Sequence, residues 1–322
     1  MQFSREKPSL LPYAVMLAII LVNLAFDAIS VYRVFHMPDM SGDDSFAQRA
    51  LYSVLGNEFV AMVVSVAFSV ACTQWLMERR RIGGLPGYAA ICIGVGYAVL
   101  SVLLSFAWWF ITQAITKNAG TVGMNVLVVV NAIAGHILKM LFAVLPVLLV
   151  FRLLRKYETP ASHPADLRWR ALLIFSLFAW SWVLLIMQFA VPVGLSLGAS
   201  YGYDSGMLPL AVYAGSTGLV LPAFIGGLLG LPKTMPLTRP LRLLLASVAA
   251  WVVCALVMVG STYVMVRIGQ AVVDYFRPGV GFSALVALIW FVVSILLCRL
   301  VVKALVRGQP PSIPVGNLEL SR

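Results

Sequence analysis

Apolar and polar positions follow one another along this chain in long blocks rather than residue by residue. Eight apolar runs can be traced, roughly Leu10–Phe35, Leu51–Met77, Tyr88–Ile115, Gly123–Leu153, Ala171–Leu197, Met207–Leu231, Leu241–Ile268 and Phe282–Val306. None has the period-two alternation of a barrel strand, and each reaches the roughly 20 residues a helix needs to cross a bilayer core. Lipid offers no partner to backbone N–H and C=O groups, so runs of this kind predict helices. The expected fold class is all-α: a polytopic integral membrane helical bundle with about eight transmembrane helices. The sixth run, MLPLAVYAGSTGLVLPAFIGGLLGLP, is the least regular, with Pro209, Gly215, Gly218 and Pro222 inside it. AGSTG followed by Pro222 predicts either an interrupted helix that offers backbone groups to a substrate, or a kinked and tightly packed one.

Composition sharpens this picture. The chain is 61% hydrophobic and 11% charged, with a mean hydropathy of +0.96, whereas a soluble domain carries about 25% charged residues. A net charge of +11 could suggest nucleic acid. The basic residues, however, lie between the apolar runs rather than on one patch, which excludes that partner and sets a topology instead. With the N-terminus placed inside, alternate segments carry seventeen Lys and Arg on the inner side against five on the outer, with Lys139 left within a span. Both termini are therefore expected in the cytoplasm, and the expected location is the bacterial cytoplasmic (inner) membrane. Arg5 and Lys7 precede an apolar run too long for a signal-peptide core, so an uncleaved first span is expected.

One transmembrane domain is expected over residues 1–306, with a short disordered cytoplasmic tail at 307–322. A faint echo suggests two halves, 1–156 and 168–306. IGGLPG at 82–87 follows the second span and IGGLLGLP at 225–232 closes the sixth, while the fourth and eighth spans both end in basic residues. Four spans followed by four would make a parallel 4+4 repeat, a plan that transporters use.

Chemistry enters through the few residues that do not suit hydrocarbon. The fourth run carries Asn131, His136 and Lys139, and Ala132, Gly135, His136, Lys139 and Ala143 share one helix face. Lys139 lies 13 residues before Arg152, about 20 Å along a helix, beyond the reach of a snorkelling side chain. An ammonium at that depth needs an anion or a wet cavity. Only two acids fall within the runs, Asp27 and Glu58. The Cβ vectors tilt Lys139 outward and Asp27 inward, so Asp27–Lys139 is the preferred pair, with His136 and Glu58 around it. Such a pair serves either as a clamp that fixes helix register or as part of a substrate or proton pathway, to which Ser216 and Thr217 of the sixth run would add.

The four cysteines lie singly inside apolar runs and are read as packing residues. No HExxH, GxSxG or Walker loop occurs, and no second in-span His accompanies His136, so neither a metal nor another cofactor is expected, and no catalytic residue is assigned. Enzymatic activity on a lipid-linked substrate ranks last. The leading functional expectation is a permease- or flippase-like transport component with a polar midplane site for a small molecule, ion or lipid. The alternative is a non-catalytic membrane subunit for assembly, anchoring or sensing. The bilayer is the expected environment, and a membrane protein partner or a second copy suits either reading.

Overall fold

The computed structural model describes residues 9–36, 44–118, 121–160, 166–196, 220–272 and 280–306. Helices dominate it. In chain order they are α1 (Leu11–Phe35), α2 (Asp44–Arg80), α3 (Ala89–Asn118), α4 (Thr121–Leu153), α5 (Arg168–Ser196), α6 (Val220–Gly230), α7 (Pro240–Val272) and α8 (Val280–Val306). Six of them, α1, α2, α3, α5, α7 and α8, carry apolar stretches long enough to cross a membrane. The expected all-α bundle is present. Its helices overrun the apolar runs: α2 starts at Asp44 and continues through Glu78, Arg79 and Arg80, because polar residues at a bilayer surface extend a helix without entering lipid. Of the sixth run, the segment with AGSTG, Ser216 and Thr217 lies outside the described residues, as does the tail at 307–322.

Helix contacts divide the bundle into two rings of four. In the first, α1 packs on α2, α2 on α4, α4 on α3, and α3 on α1. In the second, α5 packs on α6, α6 on α8, α8 on α7, and α7 on α5. Among the described residues the diagonal pairs α1–α4, α2–α3, α5–α8 and α6–α7 form no extensive interface. The two rings meet where α2 packs along α5 and touches α7. Most of α2 and α5 is accordingly buried, whereas α1, α3, α7 and α8 turn most of their surface outward. That exposed surface is rich in leucine, valine and isoleucine, as a lipid-facing surface must be.

Small residues set the closest approaches. A Cβ on Gly226 would stand 2.6 Å from Cys298 Cβ and 2.6 Å from Ile295 O of α8. One on Gly230 would stand 2.8 Å from Arg299 O, so α6 lies on α8 through a Gly-x-x-x-Gly face. The sequence echo looks different in three dimensions. Ile82–Gly84 is a short strand, β1, paired antiparallel with β2 (Thr159–Pro160) just beyond α4. Gly226 and Gly227 of the second string lie inside a helix.

One end of the bundle gathers the basic segments. Arg80 Nη1 donates to Phe151 O at 3.0 Å and pairs with Glu158 Oε1 at 2.6 Å, joining the ends of α2 and α4. Arg168 Nη2 donates to Leu228 O at 2.6 Å, joining the start of α5 to the end of α6. The Asp166 carboxylate accepts from the N–H groups of Arg168 at 3.1 Å and Met235 at 3.2 Å, capping α5 and holding the segment before α7.

Candidate functional site

A polar column runs inside the first ring, built mainly from α2. Ser65, Ser69 and Thr73 recur every four residues, so they stack on one face of that helix, and all three are buried. Thr73 Oγ1 donates back to Ser69 O at 2.8 Å, and Ser69 Oγ donates to Ala143 O of α4 at 2.9 Å. On α1, buried Asn23 donates its amide to Ile19 O at 2.7 Å and offers Oδ1 inward. The Tyr97 hydroxyl of α3 donates to that oxygen at 3.1 Å and lies 3.0 Å from Ser65 Oγ. Three helices thus share one hydrogen-bonded centre, and the Ser69–Ala143 bond one turn along α2 brings in α4. Sequence reading passed over all of these residues, since Ser, Thr, Asn and Tyr occur often enough in apolar runs to attract no notice.

The charged residues continue this column away from the basic end. Asp27 lies one turn beyond Asn23 on α1, and Glu58 two turns before Ser65 on α2. Lys139 lies one turn before Ala143 on α4, which brings it level with Ser65 because α2 and α4 run the same way and meet at Ser69. By the helical rise Asp27 is offset from that level by about 6 Å and Glu58 by about 10 Å. All three side chains are partly buried.

The preferred Asp27–Lys139 pair is not made. Among the described residues the ion pair within 4.0 Å is Arg80–Glu158, and Asp27 Oδ1 is buried without a hydrogen-bond partner. The reason is topological: α1 and α4 are diagonal in the ring, and α2 lies against both. Glu58 sits on α2 between those helices, about 10 Å from the level of Lys139, and makes no ion pair with it either. Asn131 and His136 belong to α4, but their side chains, like Ser216 and Thr217, lie outside what is described. No three His, Cys, Asp or Glu side chains gather as a metal-ligand set among the described residues.

No protein-family model matches the chain, and neither a curated protein nor a solved structure is similar to it. What decides its class is the set of six apolar helices together with their outward-facing leucine, valine and isoleucine. This is an integral membrane protein.

A second polar cluster closes the basic end of this membrane protein. Glu78 Oε1 accepts from Gln74 Nε2 at 3.0 Å, from the Thr238 N–H at 2.6 Å and from the Thr238 hydroxyl, while Oε2 accepts from the Arg239 N–H at 3.1 Å. The carboxylate thus sits at the N-terminus of α7, where the helix dipole favours an anion. Arg170, itself buried, donates to Gln74 Oε1 at 3.0 Å and to Ser9 O, and its guanidinium lies 5.7 Å from the Tyr13 ring centre. The cluster ties α1, α2, α5 and α7 together. In the sequence Glu78 and Arg170 stand within MERRR and LRWR, where they read only as loop charges.

Proposed function

We propose that the protein is a permease- or flippase-like transport component of a bacterial cytoplasmic membrane, with Asp27, Glu58 and Lys139 as its substrate- or proton-handling groups. One observation carries this reading: a carboxylate oxygen of Asp27 is buried and unpartnered in a column that also holds a second acid and an ammonium. An unsatisfied buried acceptor costs about 1–3 kcal/mol, and a bound proton or cation removes that cost. The three groups together change net charge by one on taking up a single proton, which is the elementary requirement of proton coupling. Asn131 and His136, which share α4 with Lys139, and Ser216 and Thr217 of the sixth apolar run are assigned to the same pathway on their sequence chemistry. The basic end faces the cytoplasm, as do both termini of an eight-span chain. The identical order of helix contacts in the two rings supports a parallel repeat of four helices, although the two glycine strings differ in conformation.

The alternative, a non-catalytic membrane subunit, draws support from the Glu78 clasp, which ties the two halves as a rigid anchor would be tied. Difference infrared spectroscopy of protein in liposomes separates the two readings. A pathway gives a carboxyl band that changes with pH, disappears in Asp27→Asn and moves in Lys139→Met, with both variants folded. If Lys139→Met and Glu58→Gln each unfold the protein and the double change restores it, the charges are a structural clamp and the transport reading fails. Stoichiometric recovery of a second membrane protein, with no such band, establishes the subunit reading.

A further inference from the structure

At the basic end, on the outer side of α2 and α4, lies a cleft of ≈ 600 Å³ that neither polar cluster uses. Its charged wall is Arg79, Arg80 and Arg155 with Glu158, and its apolar wall is Trp75, Leu76 and Leu148. Arg80 is engaged by Glu158 at 2.6 Å. Among the described residues no carboxylate lies within 4.0 Å of Arg79 or Arg155, so the cleft keeps two uncompensated guanidinium groups. Arg79 is held 5.1 Å from the centre of the Trp75 ring, which limits its freedom.

We propose that this cleft binds the phosphate headgroup of an anionic phospholipid. Guanidinium matches phosphate through paired N–H donors, and an indole beside it is the side chain that favours the headgroup depth. What separates a lipid from free phosphate is the surface running away from the cleft. Leu141, Leu145 and Leu148 follow one another at helical spacing on one face of α4 and are 47%, 38% and 37% exposed, forming a leucine track that ends in the cleft wall at Leu148. A headgroup seated between Arg79 and Arg155 lays its acyl chains along that track. Free phosphate has no use for it. The site is independent of the transport reading, since it shares no residue with Asp27, Glu58 or Lys139.

The test is native mass spectrometry of the full chain in detergent, titrated with phosphatidylglycerol, with phosphatidylcholine or with inorganic phosphate. One phosphatidylglycerol should be retained in preference to phosphatidylcholine, and Arg79→Gln/Arg155→Gln should weaken its retention on the order of tenfold or more. Arg79→Lys/Arg155→Lys keeps the charge and should bind with an intermediate affinity, which guards against a folding defect in the Gln pair. Equal retention of the two lipids, or phosphatidylglycerol retention unchanged in the Gln pair, overturns the proposal. Displacement of the lipid by inorganic phosphate overturns the choice of lipid and leaves a free-phosphate site.

Discussion

Replacing Gly226 by Ala adds a single methyl group at the closest of the described glycine contacts. The new Cβ would stand 2.6 Å from both Cys298 Cβ and Ile295 O, and 3.1 Å from Arg299 N. These atoms belong to the α8 backbone or are fixed to it, so no side-chain rotation relieves the clash. Helix α6 must instead withdraw from α8 by about 1 Å to reach ordinary contact, and overpacking of this kind costs about 1–3 kcal/mol. Alanine returns about 0.5–1 kcal/mol through its better helix propensity. The expected net loss is therefore about 1–2 kcal/mol, and it deepens when Gly230→Ala is added, since that methyl would stand 2.8 Å from Arg299 O. Gly260 on α7 has nothing within 4 Å of its Cβ position, so Gly260→Ala should be neutral or mildly stabilising. Unfolding of the purified protein by sodium dodecyl sulfate in mixed micelles, followed by circular dichroism, provides the comparison. If Gly226→Ala proves as stable as Gly260→Ala, the close α6–α8 contact is wrong.

Other perturbations address the polar clusters and the join between the rings. Glu78→Ala leaves two backbone N–H groups at the start of α7 without their carboxylate and should cost about 3 kcal/mol in the same assay; Glu78→Gln, which keeps one acceptor oxygen, should fall between it and the parent. A Glu78→Ala protein within about 0.5 kcal/mol of the parent would show that the clasp contributes nothing. Tyr97→Phe removes the hydroxyl shared by Asn23 and Ser65 and should lower stability by about 1 kcal/mol, the usual worth of such a bond between membrane helices; no change would place the hydroxyl in water. Spin labels at Leu24 of α1 and Leu256 of α7, both exposed, should report a broader distance distribution in Glu78→Ala than in the parent, and identical distributions would show that Glu78 does not restrain the rings.

The apolar runs made the helices legible because length and hydropathy are local properties, and α4 emerged as one continuous helix through Lys139 and Pro146. Neighbour relations are not local. Asp27 is matched to Lys139 by depth alone, a comparison blind to α2 standing against both of their helices. The basic end misled in another way. Glu78 is surrounded by arginines in sequence, yet its oxygens bind the start of α7, some 160 residues away along the chain, and no periodicity announces such a partner. Cysteine followed expectation only in part: Cys72 and Cys298 are buried, whereas Cys92 faces outward, which a polarisable, weakly polar thiol tolerates in lipid.

The join between the rings has a mechanical consequence. Hydrogen bonds accepted by Glu78 and donated by Arg170 pin the halves at the basic end, while farther along α2 the contact is greasy: Val60, Val63 and Val64 against Leu184 and Leu185. Directional bonds resist sliding and aliphatic surfaces do not, so the bundle resembles a pair of shears riveted at one extremity. A hinge motion of the two rings about those bonds would part the blades at the other.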